Sequence, residues 1–168
     1  MILVSACLLG QCVRYKGDGC AQELLLRPEI RNQLLPICPE VAGELPTPRP
    51  PAEIQGTGGG QGVWNGTAKV INNLGTDVTA AYQKGAQAAV ELARTHDITT
   101  AILKERSPSC GSHFIYDGSF SGVKLAGQGV AAAKLREAGV ILYSEEELTE
   151  ALVEKLISED KQSHSSTI

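Results

Sequence analysis

Short apolar runs of strand length recur along the chain and are separated by stretches with helical periodicity. Residues 1–6 predict a buried strand at the start of the chain, and residues 35–38 predict a second short strand. Residues 99–104 and 140–143 are two further apolar runs of this kind. Continuous apolar runs, as opposed to alternating ones, are typical of strands that are covered on both faces.

Helical patterns lie between these strands. Residues 22–34 have helical spacing, with Pro28 disturbing the middle, and residues 129–138 and 145–157 predict two later helices. The clearest helix is predicted over residues 76–95, where one face is apolar. That face is formed by Val78, Tyr82, Ala86, Ala89 and Ala93.

Strands that alternate with helices at these lengths predict βαβ units. The expected fold is a single α/β domain with a mainly parallel, Rossmann-like sheet flanked by helices. Pro46, Pro48, Pro50 and Pro51, together with the five glycines of 56–62, predict loop over residues 39–62, followed by a strand or hairpin arm over 63–72. Residues 113–124 are expected to form short strand or turn pieces. The domain is predicted to span residues 1–157, followed by a polar, frayed tail over 158–168.

Composition narrows the classes of function. The chain has 168 residues and a net charge of −4, which provides no broad basic surface for DNA. It lacks both an apolar run of membrane-spanning length and a basic leader, so we expect a cytoplasmic protein. Thiols stay reduced in that compartment, and an odd number of cysteines, five, argues against a fully paired disulfide framework.

Three of the cysteines follow predicted strands. Cys7 comes just after the first strand, Cys38 ends the second, and Cys110 lies in the loop that leaves the strand at 99–104. Ligand sites in open α/β sheets gather beyond the carboxyl ends of the strands, so these three thiols are expected to converge. Close thiolates repel one another, and a metal centre would relieve that repulsion.

Several interpretations of these thiols remain open from the residues alone. A [4Fe–4S] cluster held by three cysteines leaves one iron free to act as a Lewis acid. Zinc could instead be held by the same cysteines with His113, in a structural or RNA-binding domain. Cys110 could be the nucleophile of a metal-free enzyme, or each cysteine could be a small buried apolar residue.

The glycine-rich stretch 56–62 invites comparison with a phosphate-binding loop. Gln61 occupies the position at which the dinucleotide-binding pattern requires glycine, and the Gly-Lys-Ser/Thr ending of a P-loop is missing. A flexible surface loop is therefore expected here.

Six segments are specific in combination: Val4-Ser5-Ala6-Cys7-Leu8-Leu9-Gly10, Val13-Arg14-Tyr15, Cys38-Pro39-Glu40, residues 46–54, Ser107-Pro108-Ser109-Cys110-Gly111 and Tyr116-Asp117-Gly118-Ser119-Phe120-Ser121-Gly122. Together they resemble the thiouracil desulfidase family, over the range from Ile2 to about Leu148.

The resemblance implies a [4Fe–4S] cluster on Cys7, Cys38 and Cys110 only, with the open iron binding the substrate sulfur. It implies non-redox removal of sulfur from a thiolated pyrimidine such as 2- or 4-thiouracil, which yields uracil and sulfide. A thiolated nucleoside or transfer RNA is the larger substrate that such a domain could take, and we expect a monomer. Cys12 and Cys20 lie outside the motif, and Cys12 is the alternative ligand because four residues separate it from Cys7.

Hydrolysis of a thiocarbonyl group requires groups that accept and donate protons. Glu40, two residues after Cys38, is predicted to be the base that activates water. Ser107 and Ser109 flank the proline before Cys110, and either hydroxyl could bind substrate or position water.

Three arginines are candidates for substrate binding. Arg14, Arg49 and Arg106 could each bind a pyrimidine carbonyl or a phosphate, although each could equally be a surface cation. Glu53 is predicted to pair with Arg49 and brace the proline-rich loop.

Overall fold

The computed structural model describes residues 1–165, which form eight strands and seven α-helices. The strands are β1 (Ile2–Ser5), β2 (Leu34–Ile37), β3 (Ala52–Gly56), β4 (Ala68–Asn72), β5 (Thr100–Leu103), β6 (Phe114–Tyr116), β7 (Lys124–Ala126) and β8 (Ile141–Ser144). The helices are α1 (Glu23–Leu26), α2 (Pro28–Arg31), α3 (Pro39–Ala42), α4 (Gly59–Asn65), α5 (Thr79–Thr95), α6 (Val130–Glu137) and α7 (Glu150–Ser165).

Four parallel strands form the central sheet in the order β2-β1-β5-β8. Each of these strands coincides with one of the four apolar runs, so the predicted α/β fold with a mainly parallel sheet is confirmed. All four residues of β1 are buried, because neighbouring strands lie on both sides and helices cover both faces. The carboxyl ends of β1, β2 and β5 therefore lie side by side at one edge of the sheet.

The two faces of the sheet are covered by different helices. On one face, Leu3 and Ala101 pack against Ala89 and Ala93 of α5 and Leu135 of α6. The other face packs against α1, α2 and α7, and the cluster there includes Ile2, Val4, Leu25, Ile30, Val153 and Leu156. The small alanines of α5 bring that helix close to the sheet, which confirms the apolar face predicted over residues 76–95.

The prediction of loop over residues 39–62 is wrong in part. Pro39 occupies the first turn of α3, where a missing N–H costs no hydrogen bond. Residues 52–56 form β3, which pairs antiparallel with β4 as the small hairpin next to the main sheet. β4 begins at Ala68, so only the second half of the predicted arm over 63–72 is extended.

The prediction of a flexible loop for the glycine-rich stretch 56–62 is also wrong, because residues 59–65 form α4. A Cβ atom on Gly60 would lie 2.2 Å from the carbonyl oxygen of Gly129 at the start of α6. Glycine is therefore required for two backbones to approach each other, a constraint that local helix propensity does not contain.

The chain after β8 also departs from the prediction. Residues 145–147 form a separate 3-10 turn with a capping box at Ser144, and α7 then extends to Ser165, beyond the predicted boundary at residue 157. The buried carboxylate of Asp160 forms an ion pair with the N-terminal amine of Met1, with 2.8 Å between Oδ2 and the amine nitrogen. This contact attaches the polar part of α7 to the start of β1. The last three residues of the predicted tail, 166–168, lie outside the described residues.

Within residues 1–165, no helix is both long enough and apolar enough to cross a membrane.

Candidate functional site

The carboxyl ends of β1, β2 and β5 open into a cavity of about 460 Å³. Cys7 lies in the 3-10 turn that directly follows β1, and Cys38 lies between β2 and α3. Cys110 ends the turn after β5, where its N–H donates to Ser107 Oγ at 3.1 Å. All three thiols line the same cavity, as their positions after three neighbouring strands predicted.

The three thiols are poor sites for isolated negative charge. Burial raises the pKa of Cys7, and the neighbouring thiols of Cys20, Cys110 and Cys38 raise it further. Burial also raises the pKa of Cys110 to about 12, with Cys38 adding to the effect, and raises the pKa of Cys38 itself. Burial therefore opposes ionisation of all three thiols, and neighbouring thiols oppose it further at Cys7 and Cys110. Such a donor set becomes favourable once a cation compensates its charge.

Glu40 lies on α3, next to Cys38, and its carboxylate is held by three hydrogen bonds. Its Oε1 accepts from Tyr82 Oη at 2.8 Å and from Arg49 Nε at 3.0 Å, and its Oε2 accepts from Ser109 Oγ at 2.9 Å. Burial and the adjacent Glu40 carboxylate raise the pKa of Tyr82, so this phenol remains a hydrogen-bond donor. The carboxylate therefore has a fixed orientation at the cavity wall.

Ser107 and Ser109 extend this network toward Cys110. Ser107 Oγ accepts from the N–H groups of Ser109 and Cys110, both at 3.1 Å, and lies 3.0 Å from Ser109 Oγ. Since Ser109 donates to Glu40, Ser107 is left to donate to Ser109. The order Ser107, Ser109, Glu40 is a continuous chain of proton-carrying groups that ends on a carboxylate.

Arg49 occupies the interior of the site. Its guanidinium donates to Glu40, to the carbonyl oxygens of Pro46 and Val13, and to Thr47 Oγ1, with its side chain only 4% exposed. Most of its donors are therefore used within the protein, and the geometry favours a role in positioning Glu40 over direct contact with substrate.

The predicted pairing of Arg49 with Glu53 is wrong. Glu53 Oε1 instead accepts from the N–H groups of Gly118 and Phe120, and so fixes the loop between β6 and β7.

The other two arginines line the outer part of the cavity. Arg14 is partly exposed and makes a long contact of 3.6 Å with Asp18, and Arg106 pairs with Glu146. Both guanidinium groups are less constrained than that of Arg49, so they are the arginines that can still turn toward a ligand.

The remaining candidates for metal binding lie elsewhere. Cys12 is exposed and does not line the cavity. Cys20 is also absent from the cavity wall but contacts the Cys7 thiol from behind, where its N–H donates to the Cys7 carbonyl oxygen at 2.9 Å. All five cysteines are free thiols.

His113, the fourth ligand of the zinc alternative, lies outside the cavity and faces Glu105. Nδ1 of His113 is 3.0 Å from Glu105 Oε2, and Glu105 Oε1 accepts from the N–H groups of His113 and Phe114. Burial alone would raise the pKa of Glu105, but these two backbone donors and the imidazole lower it below its ordinary value. This part of the chain is thus an anchor for the turn after β5.

Three aromatic residues are among those of the cavity wall that the sequence did not predict. Tyr82 was identified only as part of an apolar helix face, although a buried tyrosine hydroxyl requires a partner and is itself a signal of a polar site. Tyr116 and Phe120 line the cavity from the β6–β7 hairpin. Both occur in a family motif, but no local pattern distinguishes them from ordinary turn residues.

The protein has a parallel sheet flanked by helices, with three thiols and a hydrogen-bonded carboxylate at the carboxyl ends of its strands. It therefore belongs to the class of α/β proteins with a cysteine-lined site suited to a metal centre. The sequence profile of the 2-thiouracil desulfurase family matches residues 2–147, so the chain belongs to that family.

Two relatives extend this comparison. YbbK of Bacillus subtilis (strain 168), an uncharacterized protein, is 47% identical over 152 residues, which cover 90% of this chain and all of YbbK. The solved structure of the [4Fe-4S]-dependent thiouracil desulfidase TudS is similar with a TM-score of 0.79 and 46% identity, covering 92% of this chain and 97% of TudS.

Proposed function

We propose that this protein is a [4Fe–4S]-dependent thiouracil desulfidase that hydrolyses the C–S bond of 2- or 4-thiouracil to give uracil and hydrogen sulfide. The observation that carries the proposal is the convergence of three cysteine thiols on one cavity beside the Glu40 network. Membership in the 2-thiouracil desulfurase family and the likeness to TudS point to the same chemistry.

The donor set fits an iron–sulfur cluster. Thiolates are the ligands that such clusters take, and Cys7, Cys38 and Cys110 each present one to the same space. Within residues 1–165, no three His, Cys, Asp or Glu side chains are arranged to hold a single metal ion. A cluster does not need that arrangement, because each of its iron atoms takes its own cysteine.

The reaction needs a polarised thiocarbonyl group and an activated water molecule. When bound on three cysteines, the cluster supplies an iron without a protein ligand, a thiophilic Lewis acid. Glu40 accepts the proton of the water that attacks the thiocarbonyl carbon, and it is held for this by Arg49 and Tyr82 on its other oxygen. A new C–O bond forms, the C–S bond breaks, and sulfur leaves as sulfide with no change in its oxidation state.

The serine pair moves protons between the water and the substrate. Ser109 donates to the Oε2 of Glu40 and can return the accepted proton, and Ser107 supplies the next hydroxyl in the chain. Arg14 and Arg106, at the outer part of the cavity, are placed to bind a ring carbonyl of the pyrimidine.

The free base is the substrate that we assign first, and thiolated nucleosides or transfer RNA are larger substrates that remain within the proposal. A cytoplasmic location agrees with five free thiols and with an oxygen-sensitive cofactor. We expect the protein to act as a monomer.

Purification without oxygen, followed by iron and sulfide analysis and an assay of sulfide release, tests the proposal. We expect a brown protein with four iron atoms per chain that releases sulfide from 2- or 4-thiouracil and forms uracil in equal amount. A colourless protein that binds one zinc ion, or an iron-loaded protein that leaves both thiouracils intact, would contradict it.

A further inference from the structure

Phe120 lies at the mouth of the cavity, in the loop 117–123 that joins β6 to β7. It is one of only two phenylalanines in the chain and lines the cavity while remaining 37% exposed. Tyr116, at the end of β6, lines the same wall. The hairpin thus brings two aromatic residues to the same cavity that the three cysteines line.

The backbone of Phe120 is held in a conformation that aromatic residues rarely adopt. Its φ angle is +56°, in the left-handed region, where a bulky side chain is strained. The carboxylate of Glu53 on β3 accepts from the Phe120 N–H at 3.2 Å and from the Gly118 N–H at 3.0 Å. Strain of this kind persists where surrounding contacts enforce it and is concentrated at binding sites.

The loop is also fixed against β3 at other points. A Cβ atom on Gly118 would lie 2.7 Å from the carbonyl oxygen of Ile54, so the two backbones are in close contact. Gln55 Nε2 donates to the Gly118 carbonyl oxygen at 2.9 Å, and the Asp117 N–H donates to Val123 at 2.9 Å and closes the loop. The backbone that carries the Phe120 ring is therefore held in place within the protein itself.

We infer that the Phe120 ring is the surface on which the substrate ring stacks, so that the site selects flat aromatic pyrimidines over saturated rings with the same polar groups. Glu53 is the positioning residue that holds Phe120 in place. The inference rests on the proposed function, since it assigns a binding surface to the substrate of that reaction.

Two observations and the magnitude of base stacking separate this role from ordinary packing. The ring is substantially exposed, so burying it does not contribute to the core in the way that Ile115 of the same hairpin does. Glycine would relieve its backbone strain, because that strain comes from the Cβ atom, and yet an aromatic residue stands there. Stacking of a base on one aromatic side chain contributes about 5- to 150-fold in affinity, which is enough to determine which ring binds.

Phe114 supplies a matched control. It belongs to the same hairpin, is 46% exposed and does not line the cavity. Removing its ring makes a similar chemical change at a similar depth without touching the proposed surface.

The test measures binding of uracil and of 5,6-dihydrouracil to the iron-loaded protein by calorimetry. The two probes share their carbonyl and N–H groups, but only uracil is flat and aromatic. We expect the native protein to prefer uracil, Phe120→Ala and Phe120→Leu to weaken uracil binding about 5- to 150-fold and remove the preference, and Phe120→Trp to retain it. Glu53→Ala should reduce the preference, and Glu53→Gln should restore it, because an amide oxygen still accepts from both N–H groups.

Phe114→Ala should leave the preference for uracil unchanged. Equal preference in native protein and in both Phe120→Ala and Phe120→Leu, at unchanged iron content, would overturn the inference. Sulfide release by the native protein tests the proposed function separately. A native protein that binds uracil through Phe120 but cleaves no thiouracil would contradict the function and leave the stacking surface standing.

Discussion

Replacing Glu40 with glutamine tests the centre of the proposed chemistry, because it removes the charge and keeps the shape. Glu40 Oε1 accepts from Tyr82 and Arg49, and the amide oxygen of glutamine can take over both bonds. The amide nitrogen then faces Ser109, whose hydroxyl must accept where it now donates.

The structure sets the size of the two expected effects. A hydrogen bond to a charged group contributes about 1.5–3 kcal/mol and a neutral one about 0.5–1.5 kcal/mol, so Glu40→Gln should lower the free energy of unfolding by about 1–3 kcal/mol. The free energy of unfolding of a typical domain is about 5–15 kcal/mol, so the variant should still fold. Loss of a general base should lower kcat by about 100- to 10,000-fold.

Glu40→Ala is the harsher comparison. It leaves the buried guanidinium of Arg49 without its partner, and breaking a buried ion pair costs about 3–5 kcal/mol. The assays are sulfide release for kcat, iron content for the cluster and urea unfolding for stability. A Glu40→Gln protein with full iron and a kcat within tenfold of the native value would remove Glu40 from the reaction, whatever its stability.

Three further predictions address the proposed cluster ligands, the stability of the fold at low pH and the contact between α3 and α5. Alanine at any of the three cavity cysteines should leave anaerobically purified protein without iron, whereas Cys12→Ala should keep it, as measured by colorimetric iron analysis. The lowered pKa of Glu105 means that its ionised form stabilises the fold above pH 4.5 and that this contribution is lost as the pH falls. Urea unfolding of apoprotein should therefore depend less on pH between about 5 and about 3 in Glu105→Gln. Gly85→Ala should cost about 1–3 kcal/mol and lower kcat, because its Cβ would lie 1.7 Å from the Pro39 carbonyl oxygen, whereas Gln87→Ala should do neither.

Each of these has an outcome that contradicts it. Iron loss in Cys12→Ala would show that the ligand set is wrong. If the stability of the native protein and of Glu105→Gln falls equally between about pH 5 and about pH 3, the bonds from backbone N–H groups to Glu105 do not stabilise the fold. Normal stability and activity of Gly85→Ala would mean that α3 does not depend on close contact with α5.

The parts of the fold that could be predicted are those in which local pattern and tertiary role agree. The apolar runs of β1 and β5 predict strands because both faces of those strands are covered. The spacing of Tyr82, Ala86 and Ala89 predicts a helix because only one face of α5 is buried. Position after a strand then placed Cys7, Cys38 and Cys110 at one edge of the sheet without any knowledge of distance.

The parts that could not be predicted depend on contacts between distant segments. Gly60 is helical because its backbone touches Gly129, and a run of glycines by itself predicts the opposite. Arg49 pairs with Glu40 and not with Glu53, which is closer in sequence. The Glu53 carboxylate instead accepts from backbone N–H groups of the distant β6–β7 loop. The Tyr82 hydroxyl meets Glu40 across 42 positions of chain, and no sequence window contains both.

The three thiols follow three different strands of one sheet, and the ribosome reaches the third of these strands, β5, only after it has synthesised 99 residues. If the proposed ligand set is right, a nascent polypeptide shorter than 110 residues lacks one of its three thiols. On that proposal the cluster binds after β5 has been made, and it links strands whose order is otherwise kept by hydrogen bonds and apolar packing. Loss of the metal to air would then loosen the architecture at the same place where it ends the chemistry.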